Sequence, residues 1–155
     1  MRKAEREIKN FEDIIDVLDR CETVRIGFSG NEYPYVVPMS FGYEIISGKV
    51  VVYVHGAKEG LKHDLITKNN RVCVEADIFH RYASTGHGVT AEYESIIGFG
   101  VAEKVDHDDA VKGLDLLMKH CRVEGYSAAQ CIALGITTVY RITLDSITGK
   151  KRFVD

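Results

Sequence analysis

The sequence contains no apolar run long enough to cross a bilayer as a helix, so a membrane-spanning protein is not expected. Its first ten residues, MRKAEREIKN, are charged throughout and lack the apolar core of a secretory signal, which points to a cytoplasmic protein. Cysteine is sparse and unpatterned. None of Cys21, Cys73, Cys121 and Cys131 stands in a Cys-x-x-Cys pair, so free thiols are expected, with Cys73 a small apolar residue in a strand. The six histidines form neither a His-Glu-x-x-His motif nor a Cys/His cluster, which argues against zinc. Basic residues are not in excess: 20 Lys and Arg stand against 23 Asp and Glu, and the net charge of −3 argues against nucleic acid as a partner. Low-complexity stretches, repeats and linkers are also missing. A single domain over residues 1–155 is expected, large enough to bury roughly 70% of its unfolded surface without a disulfide or metal staple.

What is present alternates like a β protein with a few helices. Asn10 is a suitable N-cap for a helix over Phe11 to Arg20, with Phe11, Ile14, Ile15 and Leu18 on one face. Thr23 to Phe28 reads as a strand, and 29–32 (Ser-Gly-Asn-Glu) as a hairpin turn. Tyr33 to Tyr43 reads as a second strand. Pro38 lies within it and cannot donate to a ladder, which places it at an edge, a bulge or an opening of the sheet. Val50 to His55, Arg71 to Asp77, Glu92 to Val105 and Thr137 to Leu144 complete about six strands. Gly98 and Gly100 mark a bulge or a close approach in the fifth. Asp106 caps a helix over Asp108 to His120, and a short helix is expected over 126–134. Residues 79–91, with His80 and His87, read as a long polar loop, and the basic GKKRF ending reads as a solvated tail. Hairpin connections imply a largely antiparallel sheet, and six strands suffice to curl into a barrel without edges.

The stretch His55 to Val72, HGAKEGLKHDLITKNNRV, is the most informative. A strand breaks at Gly56 and enters a helix pattern over Glu59 to Lys68. Lys58 and Lys62, four apart, would share a face at its start. Cations there oppose the helix macrodipole. One reading is an anion over the free N–H groups of the helix start, a phosphate cradle. The other is a solvated lysine face.

Taken in order, PYVVPMSFGYE (34–44), VYVHGAKEGLKHDLITKNNRVCVE (52–75), YESIIGFGVAE (93–103) and ITGKKR (147–152) carry a resemblance. The chain resembles the FMN-binding split β-barrels related to pyridoxamine 5′-phosphate oxidase, and within them the nitroimidazole-resistance branch. The resemblance runs over roughly Phe11 to Arg152. It implies a mainly β fold, a split barrel of about six antiparallel strands with peripheral helices. It also implies a homodimer holding FMN at its subunit interface.

By that resemblance Val36, Val37, Pro38, Met39 and Ser40 would pass along the isoalloxazine ring. His55, Gly56 and Ala57 would border the ring and ribityl chain, and Gly60 and Lys62 would hold the phosphate end. Lys62 matches a family lysine, whereas Leu61 stands where the family has an arginine, a charge that Lys58 could supply. Ser95 falls where the oxidases carry a flavin-contacting glutamine. The absence of tryptophan and of the arginine-rich ending that holds pyridoxal phosphate argues against oxidation of pyridoxamine phosphate. The implied activity is FMN-dependent reduction of small aromatic compounds, nitroimidazole-like ones included, with an unidentified electron donor. A flavin storage or sensor module and a haem- or deazaflavin-binding barrel are the alternatives. His55 would donate a proton or simply hydrogen-bond the cofactor. Tyr33, Tyr35, Tyr43 and Tyr53 suit sheet and dimer packing.

Overall fold

The computed structural model describes residues 3–30, 32–130 and 135–154. Among them are three α-helices, α1 (Phe11–Arg20), α2 (Leu61–Lys68) and α3 (His107–His120). The strands are β1 (Glu7–Ile8), β2 (Val24–Phe28), β3 (Tyr35–Met39), β4 (Gly42–Ile46), β5 (Lys49–Ala57), β6 (Arg71–Thr85), β7 (Gly88–Lys104) and β8 (Thr137–Arg152). They form one eight-stranded antiparallel sheet in the order β3-β2-β6-β7-β8-β5-β4, with β1 paired to β8. The mainly β, split-barrel-like architecture is as expected. The closed barrel is not: among the described residues the hydrogen-bonded path stays open, with β3 and β4 as its ends.

The extra strands have local causes. The expected strand Tyr33 to Tyr43 is divided at Ser40 and Phe41 into β3 and β4. Pro38 sits on β3 opposite Arg25, on an edge strand, where proline is tolerated. Gly42 then brings β4 so close to α3 that a Cβ there would run into the backbone of Leu116 and Leu117. The polar segment 79–91 is no loop. It continues β6 and β7 as a hairpin arm, with Phe79 opposite Tyr93 and Tyr82 opposite Ala91, and turns only between Thr85 and Gly88. Alternation and cross-strand pairing outweighed its polarity. The basic ending is likewise not a tail: Lys150 to Arg152 are ladder residues of β8, facing Ser95, Glu94 and Tyr93. Cys131, Asn31 and the end of the helix expected over 126–134 lie outside the described residues; the described part is a single 3-10 turn, Ala128–Gln130.

Two apolar layers hold the sheet. On its inner face Ile14, Val17 and Leu18 of α1 and Leu65 and Ile66 of α2 pack with Val24, Ile26, Val52, Val54, Val74, Ile96, Tyr140 and Ile142. On the outer face of β5 and β8, Leu114 of α3 and Ala128 pack with Val51, Tyr53 and Val139. Acidic residues open α3, its last turn is basic, and the Asp106 carboxylate accepts from Asp109 N at 3.1 Å, as the dipole and capping rules favour. Gly100 lies at a register shift, where a Cβ would strike the Thr143 carbonyl, so the expected bulge and close approach both occur.

Candidate functional site

The site lies where β5 ends and α2 begins. Gly60 has φ 121° and ψ 167°, a backbone geometry that favours glycine, and it starts α2 without any side-chain cap. The helix begins at Leu61, two residues later than expected. Lys58 is therefore outside it, and its ammonium instead donates to the Gly135 carbonyl. Lys58 and Lys62 do not share a helix face.

Lys62 folds back from the first turn of α2. Its Nζ occupies the space a Gly56 side chain would fill, and it reaches the Met39 sulfur at 3.7 Å. Among the described residues no carboxylate pairs with it, and burial lowers its pKa below the usual lysine value. The fold thus holds a half-buried ammonium with no counter-ion beside the uncapped start of a helix. That arrangement favours an anion.

Strand alternation sorts the other expected residues. Met39 and Val37 face inward with Lys62, whereas Val36, Pro38 and Ser40 are exposed on the opposite side of β3. Ser40 lines a separate cavity of about 490 Å³ with Asp19, Thr23, His120 and Arg122. Gly56 shares the face of Lys62, so His55 and Ala57 lie on the other side of β5. His55 Nδ1 is buried without a hydrogen-bond partner. Burial first, and the Lys62 charge second, lower the His55 pKa below its ordinary 6.5, so the imidazole is neutral at pH 7. Ser95 is remote. It pairs with Lys150, and Gly56 pairs with Thr138, so roughly 40 Å of β8 separates the two positions at about 3.3 Å per residue.

The sequence reading missed two polar features here. The His63 imidazole bonds the hydroxyl of Tyr140, a buried residue of β8. The Thr138 hydroxyl, opposite Gly56, is buried and unpartnered. The signal available was a threonine two residues before Tyr140 on the inward face of an alternating strand.

A cleft of about 830 Å³ lies elsewhere, on the outer sheet face between Gly27, Cys73, Phe99 and the Tyr33–Pro34 turn. Val36 and Phe99, each 57% exposed, stand on the same face.

This open eight-stranded sheet, with a cationic helix start at the end of β5, has a split-barrel-like architecture, and sequence comparison agrees. The profile of the pyridoxamine 5′-phosphate oxidase family matches residues 11–151, and the chain belongs to that family. A solved structure of a candidate 5-nitroimidazole antibiotic resistance protein from Bacteroides thetaiotaomicron VPI-5482 is 27% identical, with a TM-score of 0.79 over 93% of this chain and 85% of that one. An FAD and heme binding protein from Mycobacterium smegmatis is 17% identical, with a TM-score of 0.81 over 96% of this chain and 74% of that one. A flavocytochrome from Azotobacter vinelandii is 18% identical, with a TM-score of 0.76 over 99% and 72%. The last two establish likeness of fold. No curated protein matched the chain. No helix among the described residues is long and apolar enough to cross a membrane.

Proposed function

We propose that this protein is a flavin-binding oxidoreductase that takes FMN and reduces small nitroaromatic compounds. The observation that carries the reading is the half-buried, uncompensated Lys62 ammonium against Gly56 and the start of α2. A phosphate dianion fits that set: a cation, free backbone N–H groups of the first helical turn, and a glycine that leaves room for both. When bound, FMN supplies the hydride or electron transfer. Lys62 and the α2 amides hold its phosphate. Gly56, Ala57 and Gly60 leave the backbone open to it, and Val36 to Met39 of β3 offer an edge strand to the ring. The family and the nitroimidazole-resistance relative support the nitroaromatic class.

Nitro reduction consumes protons as well as electrons, and His55 is the group placed to hold one. A phosphate at Lys62 would neutralise the charge that helps keep the imidazole unprotonated, so cofactor arrival would favour its protonation. His55→Ala is expected to lower turnover more than flavin affinity. It should also remove a component of acid sensitivity. Because the folded-state pKa is depressed, the unfolded chain binds this proton more readily, so stability falls as pH drops below 6.5. Equal losses of affinity and turnover, with an unchanged pH–stability curve, would leave His55 a structural contact.

A homodimer suits the distance to Ser95 and the exposed apolar outer face: a second copy would cover Val36 and Phe99 and bring its own Ser95 to the flavin. Gly56→Ala tests the cradle directly. The new Cβ would displace a flexible lysine tip rather than backbone. FMN affinity is expected to fall about tenfold, with the melting temperature of the ligand-free protein unchanged.

An absorption spectrum after adding FMN and removing the excess tests the reading as a whole. Flavin retained in proportion to protomer, bleached anaerobically by NAD(P)H and reoxidised by a nitroimidazole, supports it. Retained flavin that no donor reduces would favour a storage or sensor module. The unpartnered His55 nitrogen is the observation that favours haem instead, and a haem absorption band with no retained flavin would select that reading.

A further inference from the structure

Thr138 is the second residue of β8 and stands opposite Gly56 in the β5–β8 ladder. It is 2% exposed, and its Oγ1 has no hydrogen-bond partner. The inward residues that follow it on β8, Tyr140, Ile142 and Leu144, are all buried. A valine would fill that volume without stranding a hydroxyl, so the hydroxyl weakens the ligand-free fold unless something accepts its proton.

The position supplies the acceptor. Side chains directly opposed in an antiparallel pair point to one face, with Cβ atoms about 5 Å apart. Lys62 Nζ occupies the place of the missing Gly56 side chain. The Thr138 hydroxyl therefore lies within about 4–7 Å of the ammonium, a span that one tetrahedral anion bridges. Neighbouring polar groups are already engaged or face away. His63 bonds Tyr140, Lys58 bonds the Gly135 carbonyl, and His55 lies across the strand.

We propose that Thr138 is a ligand-binding residue: its hydroxyl donates to the anionic group that Lys62 holds, and so selects a phosphorylated flavin over an unphosphorylated one. This rests on the anion-site reading of Lys62. Across the sheet from the helix, Thr138 closes the cradle on the β8 side. Lys62 gives charge, and Thr138 gives direction.

The test is a fluorescence titration of wild type, Thr138→Val and Thr138→Ser with FMN and with riboflavin, which lacks the phosphate. Thr138→Val should lose about tenfold in FMN affinity. It should bind riboflavin as the wild type does and melt at the same or a higher temperature without ligand. Thr138→Ser should keep FMN affinity. Thr138→Ala provides a second hydroxyl deletion should the valine variant not fold. Wild-type FMN affinity in the valine or alanine variant would overturn the proposal, as would an equal loss for riboflavin. Lys62→Ala separates the two failures. If it weakens FMN and the Thr138 deletions do not, only the role of Thr138 falls. If neither weakens FMN, the anion-site reading falls with it.

Discussion

Replacing Lys62 with alanine is expected to weaken FMN binding by about 1–3 kcal/mol, roughly 5- to 150-fold, the scale of a lost charge-assisted hydrogen bond. Among the described residues the ammonium has no carboxylate to release, and it lies against the Met39 sulfur and Gly56. Its removal therefore leaves no stranded partner in the ligand-free protein. Relieving a desolvated charge should leave the melting temperature unchanged or slightly raised. Riboflavin affinity should hardly change, because the charge addresses the phosphate. Equilibrium titration with both flavins checks this, and an unchanged FMN affinity would remove Lys62 from the cradle. Lys62→Arg should recover only part of the loss, since the wider guanidinium does not fit against Gly56 as the ammonium does.

Gly42→Ala is expected to destabilise the protein by about 3 kcal/mol, the upper end for overpacking a tight contact. The added Cβ would meet backbone atoms of Leu116 and Leu117 in α3, and no rotamer change moves backbone out of the way. Either α3 lifts from β4 or the sheet edge bends. Both disturb the layer in which Leu114 packs with Val51, Tyr53 and Val139. Because His55 stands next to Val54 and opposite Val139, the disturbance should reach its environment too. Chemical denaturation with near-ultraviolet circular dichroism measures the effect. A loss below about 1 kcal/mol would mean that α3 yields easily at this contact.

The two variants separate concerns that the fold keeps in different places. Lys62 is the proposed phosphate group on the inner face, where its Nζ fills the place of a Gly56 side chain. Gly42 is a packing device on the helix side. The first should change affinity at constant stability, and the second stability first.

Much of the fold was legible because it depends on local rules. The 3- to 4-residue spacing of Phe11, Ile14, Ile15 and Leu18 and the Asp106 cap set α1 and α3 nearly to the residue, although Val17 rather than Ile15 is the buried neighbour of Leu18. Alternation along Thr137 to Leu144 gave the facing of β8 correctly. The arm at 79–91 was misread because its polar residues solvate a hairpin as well as a loop, and only its cross-strand partners distinguish the two. Of the residues that the resemblance named, Gly56, Lys62 and Met39 lie together. Lys58 and Ser40 do not join them, and Ser95 is far along the sheet.

By itself the sequence determined the periodicities, and with them the mainly β architecture and the strand–turn–helix that carries the lysine; its ordered motifs carried the family resemblance. Hydrophobic spacing and turn chemistry act between near neighbours and need no knowledge of the rest of the chain. Tertiary structure alone decided which side of β5 each polar group occupies, and that Thr138 faces Gly56. It also decided that Lys58 is held by Gly135 while Lys62, among the described residues, has no carboxylate partner. Those facts depend on ladder register and on partners some eighty residues away. A shift of one residue in the β5–β8 pairing would turn Thr138 away from the face of Gly56 without altering a single local preference.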